Sequence, residues 1–557
     1  MHIISTLLQL AVIGPLLASV NALPQAAARG SPIIKTTYGD IQGAPSPFRG
    51  GNTATVYKGI PFAASPTGSN RWKAPQSPQP WSGVRNATEF GPQCAQSLSD
   101  AGIFSSGKPT TSEDCLTLNI WTPRYNDTSD IESKNLPVFV WIYGGRFTGG
   151  SADVPTYDGT GLASKDIIVV TINYRLGPFG YLAHPDLSAE SGHNSSGNYG
   201  ILDQQAALRW VKENIQYFGG NHNQVTVGGQ SAGSASALDI MWSPLAKGLV
   251  QGVIAESGAR GPHDPVTGSA ATSYRSKAAA ESQGESFMKK LDVSSIAQLR
   301  NVPMKTLLEY DSLSDTIFDG TRFENLTSSF TEPPMWRPNL DGYVFPHTYG
   351  EALRLNTHAD VPILTGNNKD ESGASPDTSF NVSTYNTLYR ELFRDFADEF
   401  FQLYPASNTT QASENSNELF RDLSRVGTWR WAVDWAAGGA KSNVYTYYFT
   451  RSPAENRVGG AYHGAELWYT FNNIPYSDYS NVTWYDYDYV VEDRMSNYWA
   501  NFIRKGDPNA DGLPEFIKTT DKANETMWLG NSWGAGPIAD SKRIDFIERW
   551  YATLKEW

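Results

Sequence analysis

Cysteine is scarce in this chain, with only Cys94 and Cys115 among 557 residues. That excludes an array of small disulfide-knit domains and any metal site built on clustered thiolates. Basic residues are in deficit as well: Lys and Arg total 44 against 57 Asp and Glu, a net charge of −13. A nucleic-acid surface would be basic, so no nucleic-acid partner is expected. After the N-terminus no stretch approaches the ~18 apolar residues of a membrane span, and none is expected. Internal repeats, low-complexity tracts and charge runs are missing too, so nothing marks a linker between modules.

What is present begins with an apolar stretch, Leu7 to Val20, closed by Val20-Asn21-Ala22. This small-x-small ending predicts a signal peptide over residues 1–22, and hence a secreted, extracellular protein. Eight N-x-S/T sequons agree with export and glycosylation: Asn86, Asn126, Asn194, Asn325, Asn381, Asn408, Asn481 and Asn524. In an oxidising compartment the two cysteines are expected to pair. Residues 23–557 read as one large domain.

Strand and helix signals alternate from Leu136 onward. Leu136–Tyr143, Asp166–Tyr174, Gln224–Val227 and Gly252–Glu256 have the β-branched, apolar character of buried strands. Asp203–Phe218 and Ala232–Trp242 read as helices between them. Further on, Val361–Gly366 and Ser442–Phe449 repeat the strand pattern, with helical excursions at Tyr385–Tyr404 and Asn417–Gly439. An amphipathic helix is expected at Glu492–Ile503. Such alternation predicts an α/β fold with a parallel sheet covered on both faces.

Gly229-Gln230-Ser231-Ala232-Gly233 matches G-x-S-x-G, with a strand before it and a helix after it. A nucleophilic serine needs that setting: a sharp turn lifts its hydroxyl above the strand ends, and small neighbours let the turn close. Ser231 also needs a base. An order of serine, acid, histidine removes His184, His193 and His222. Of the others, His263, His347 and His358 read as surface histidines. His463 stands apart, just beyond a strand and between glycines in Gly459-Gly460-Ala461-Tyr462-His463-Gly464. The acid should follow the strand at Val361–Gly366, where spacing leaves both Asp370 and Glu371 open. Tyr143-Gly144-Gly145-Arg146-Phe147 is the candidate oxyanion turn. No histidine or cysteine spacing suggests a metal site, and neither a metal nor an organic cofactor is expected.

Several longer motifs carry a family resemblance. Glu113-Asp114-Cys115-Leu116-Thr117-Leu118-Asn119, Asn173–Gly180 and Gly197–Gln204 resemble the signatures of type-B carboxylesterases, the cholinesterase-like α/β-hydrolases. The likeness runs from about Ile33 to Phe546 and is closest to secreted fungal carboxylesterases. It implies a large central, mostly parallel but mixed sheet flanked by helices. It also implies a serine ester hydrolase, a monomer or homodimer, acting on small-molecule esters. The family's acid element points to Glu371, so the implied triad is Ser231, Glu371 and His463. The implied oxyanion donors are the backbone N–H groups of Gly145, Arg146 and Ala232. Ser257 matches a second serine that supports the acid–histidine pair. The Cys94–Cys115 pair matches a disulfide whose loop flanks the gorge.

Two positions depart from the family pattern. Arg146 stands where a third glycine is usual; it either pairs with a substrate carboxylate or turns outward into a local ion pair. Gln230 replaces a common glutamate, keeping hydrogen bonding but not charge. The loop between Cys94 and Cys115 is short and rich in Ser, Thr and Gly, and only Ala101–Phe104 supplies an apolar patch. That predicts an esterase of soluble esters rather than a lipase. An acyltransferase on the same triad and a non-catalytic, neuroligin-like binding protein are the competing readings.

Overall fold

The computed structural model describes residues 31–48, 53–98, 102–107, 109–125, 131–267, 274–325, 333–374, 380–474 and 483–556. The expected signal segment, Ala101 and the sequons at Asn126 and Asn481 lie outside them.

Eleven strands form the central sheet: β1 (Ala44–Pro47), β2 (Thr53–Pro61), β3 (Thr117–Pro123), β4 (Leu136–Ile142), β5 (Ile168–Ile172), β6 (Gly220–Gln230), β7 (Gly252–Glu256), β8 (Ile363–Asn368), β9 (Val444–Phe449), β10 (Glu525–Leu529) and β11 (Gly534–Pro537). Their spatial order is β11-β10-β9-β8-β7-β6-β4-β5-β3-β2-β1. From β10 to β5 every neighbouring pair is parallel, while β5–β3, β3–β2, β2–β1 and β10–β11 are antiparallel. The sheet is therefore mixed, with a parallel centre. The central strands are buried on both faces, as with all five residues of β5, so apolar residues run through them instead of alternating with exposed polar ones.

The crossovers explain themselves locally. Helix α1 (Tyr199–Asn214) continues as a tighter turn over Ile215–Phe218 and stops at Gly219, whose φ of 87° is left-handed. Strand β6 is seven residues longer than Gln224–Val227: four form a polar start, Gly220–Asn223, that pairs irregularly with β4, and three, Gly228–Gln230, pair with β7. Helix α2 (Ala232–Trp242) follows Ser231 directly.

The helical excursion differs from expectation. Instead of one helix at Tyr385–Tyr404 there are two, α3 (Val382–Phe393) and α4 (Ala397–Leu403), broken at Arg394, which has a φ of 48°. Helix α5 (Thr409–Ala437) begins eight residues earlier than its apolar pattern, on a cap from Asn408 to Gln411 N–H. Helix α6 (Asp486–Lys505) likewise starts earlier than its apolar pattern, on a first turn whose Asp488 is buried and paired with Arg451. A second apolar cluster packs α3, α4 and α5 against the last helix, α7 (Ser541–Tyr551), through Phe393, Phe400, Leu423, Phe546 and Trp550. Among the described residues no helix is long and apolar enough to cross a membrane.

Candidate active site

Ser231 sits between β6 and α2 at φ 60° and ψ −124°, a conformation a side chain rarely adopts. Crowding explains the glycines around it. A Cβ at Gly229 would lie 2.3 Å from the Gly233 backbone, and one at Gly233 would lie 2.0 Å from the Ile142 carbonyl. The strained turn is held by Ser231 N–H donating to Glu256 O at 2.9 Å. Because α2 begins at Ala232, the N–H groups of its first turn have no acceptor within the helix and favour negative charge.

The glycine turn after β4 lies against this elbow. A Cβ on Gly144 would be 2.5 Å from Gln230 O and 3.0 Å from Ser231 Cβ. Gly145 has a φ of 108° and would strike Gly149 O with any side chain, at 2.2 Å. Its carbonyl is tied down by Thr148 N–H at 3.1 Å and Gly149 N–H at 3.0 Å. Arg146 follows at φ 59° and Phe147 at φ 63°, so an arginine occupies a left-handed position that glycine would fill more cheaply.

His463 Nδ1 lies 2.5 Å from Glu371 Oε2. A carboxylate only accepts, so in the neutral ring Nδ1 carries the proton. Nε2 is then the acceptor, and it receives the Gln230 side-chain amide at 3.0 Å. Glu371 is anchored in turn, its Oε1 accepting from Asn368 N–H at 2.8 Å. Burial pushes the Glu371 carboxyl up, but the neighbouring His463, Arg260 and Ser257 outweigh it and hold the group below the usual carboxylate range.

The two acids left open by spacing have separate places. Asp370 accepts from Arg421 at 2.6 Å and from Ala461 N–H at 2.9 Å, while its own N–H donates to Ala461 O. It pins the loop that carries His463; Glu371 meets the imidazole. Ser257 has a φ of 58°, and its N–H donates to Gly366 O at 2.9 Å. Its buried Oγ lies near enough to draw the Glu371 carboxyl down, yet no hydrogen bond of normal geometry reaches it among the described residues.

These groups open onto a cavity of about 660 Å³ lined by Ser231, His463, Gln230, Gly144, Gly145 and Arg146. Flap residues Leu98 and Phe104 and the loop residues Asp311 and Ser312 complete parts of its wall. The flap is closed by the Cys94–Cys115 disulfide, with Cα atoms 5.0 Å apart. Phe104 packs so tightly on Gly464, next to His463, that a Cβ there would come within 2.5 Å of its ring. A slightly larger cavity, about 700 Å³ between α3 and α5, holds no histidine, so chemistry and not size singles out the first. Other histidines lie elsewhere: His358 is buried and not on the surface as expected, because its ring stacks on Trp435, and His263 reaches Leu554 O at 3.0 Å.

Several neighbours of the site carry little or no signal in the sequence. Arg260, Glu256, Glu466 and Asn368 are all buried around the acid–histidine pair. Only Glu256 left a signal, as a charge ending the otherwise apolar strand Gly252–Glu256.

The chain is similar to known esterases over most of its length. The carboxylesterase family model matches residues 30–545. The chain is 34% identical over 531 residues to the fumonisin B1 esterase of Sphingopyxis macrogoltabida, covering 93% of this chain and 90% of that protein. It is 32% identical over 492 residues to the para-nitrobenzyl esterase of Bacillus subtilis (strain 168), covering 86% and 91%. A solved PNB esterase superposes with a TM-score of 0.72 at 30% identity, over 92% of this chain and 99% of that one.

Proposed function

The chain belongs to the carboxylesterase family and is a carboxylic ester hydrolase, and from that premise we propose that Ser231, Glu371 and His463 are its catalytic triad. The observation that carries this reading is the pairing of His463 Nδ1 with Glu371 at the cavity that Ser231 lines.

The steps follow from the geometry. His463 Nε2 takes the Ser231 proton as Oγ attacks the ester carbonyl, and Glu371 stabilises the imidazolium that forms. To do so Nε2 exchanges its Gln230 contact for the serine hydroxyl. The N–H groups of Gly145, Arg146 and Ala232 receive the oxyanion. His463 then protonates the leaving alkoxide, and water releases the acyl group. An acceptor alcohol in place of water would make the same triad an acyltransferase.

The short flap, with Phe104 packed on Gly464, favours soluble esters over a lipid interface. Among the described residues lining the cavity, Arg146 is the only Lys or Arg, which favours substrates carrying a carboxylate near the scissile bond. The apolar N-terminal stretch and the sequons support export and glycosylation: Asn86, Asn194, Asn325, Asn381, Asn408 and Asn524 are all exposed.

A fluorophosphonate probe tests the triad. It should label the wild type and not Ser231→Ala, and hydrolysis of a p-nitrophenyl ester should vanish with the labelling. Labelling or turnover that survives in Ser231→Ala would refute the assignment.

A further inference from the structure

Behind the triad the wall is acidic. Glu256, whose carbonyl holds the Ser231 elbow, is wholly buried; its Oε1 accepts from Trp499 Nε1 at 2.6 Å. Its Oε2 meets no donor among the described residues. Glu466, three residues after His463, is buried as completely. Its Oε2 accepts from the Asn368 side chain, and its Oε1 also meets no donor. Asn368 thus joins Glu466 to the triad, because its backbone N–H holds Glu371. The buried Tyr447 hydroxyl lies where the charges of Glu256, Glu466 and Glu371 all reach it.

Two dry carboxylates, each with a bare oxygen, repel each other and lack solvation; one proton between them relieves both costs. We propose that Glu256 and Glu466 hold a single proton and present one buried negative charge behind the Glu371–His463 pair, acting as positioning residues for the imidazole. In support, burial and then the charge of Glu466 push Glu256 well above the carboxylate range, and burial and then Glu371 push Glu466 up. The other charged or titratable groups around the pair are His463, Arg260, Tyr157 and Tyr447. The retained charge favours the imidazolium that forms when His463 takes the serine proton. This step rests on His463 being the base.

Glu256→Gln, Glu466→Gln and the double variant test it, with the pH profile of kcat/KM and infrared difference spectra as readouts. In each single variant the remaining carboxyl ionises and keeps the charge. The acid limb therefore stays in place, and a protonated-carboxyl C=O band of the wild type is lost. In the double variant the charge is gone, and the acid limb moves to lower pH by roughly one unit. A double variant with an unmoved limb, or one single variant that shifts as far as the double, would overturn the proposal. If the double variant does not fold, the single-variant spectra decide: a wild-type-minus-variant difference that shows no lost carboxyl band in either refutes the shared proton. The infrared readout does not depend on catalysis. Failure of the triad reading would show instead as undiminished probe labelling of His463→Ala.

Discussion

Arg146 combines a backbone cost with a chemical opportunity. At φ 59° an L side chain is disfavoured by about 1 kcal/mol or more relative to extended or helical backbone, while glycine takes this region freely. Arg146 lines the cavity that holds Ser231, and a charge-assisted hydrogen bond from its guanidinium to a substrate carboxylate would contribute about 1.5–3 kcal/mol. Arg146→Gly should therefore leave the fold as stable or raise its thermal midpoint slightly, since strain is relieved. In the same variant, kcat/KM for an acidic ester should fall roughly 10- to 100-fold against its neutral analogue. An unchanged ratio between the two esters would mean that Arg146 plays no part in recognition. At this scale the sequence discloses residues whose chemistry demands a local setting: Ser231 through its glycine-bounded turn, His463 through chain order and flanking glycines. It does not separate Asp370 from Glu371. Adjacent residues there point to opposite jobs, and only the course of the backbone decides which side chain meets the imidazole.

Among the elements, the Cys94–Cys115 flap couples stability to the site. Its closed loop spans 21 residues, and in the chain-entropy model a crosslink of that size stabilises the fold by about 3 kcal/mol. The double variant Cys94→Ser/Cys115→Ser should lose about that much unfolding free energy and so unfold at lower denaturant concentration. It should also lose activity before global unfolding, because Phe104 is packed on Gly464 beside His463. Coincident loss of activity and tertiary signal would show that the flap does not act locally. Strands are the most readable elements, since burial on both faces writes itself as apolar runs such as Ile167–Val170. Helix starts were the least readable. The first turns of α5 and α6 are held by capping and are mostly polar, so they carry no apolar period. The break at Arg394 is equally silent, because nothing in its side chain announces a positive φ.

For the whole molecule, the balance of buried acids sets the pH dependence of stability. Burial raises the carboxyls of Asp158, Asp203, Asp239, Asp264, Asp422, Glu256, Glu455 and Glu466 above their ordinary values. A group raised on folding contributes stability that is full below its unfolded value and lost as pH climbs through its folded one. Glu371, Glu190 and Asp360 are held low and act oppositely, losing their contribution only as pH falls through their folded values, below the ordinary carboxylate range. The raised group is the larger, and the net charge of −13 adds self-repulsion that grows with further ionisation. The thermal midpoint, taken at one scan rate, should therefore be higher near about pH 5 than near about pH 8 and decline steadily between them. A midpoint that is flat or rises toward alkaline pH would mean that these acids ionise in the folded state without cost. The shared proton assigned to Glu256 and Glu466 could not then be held by burial and repulsion.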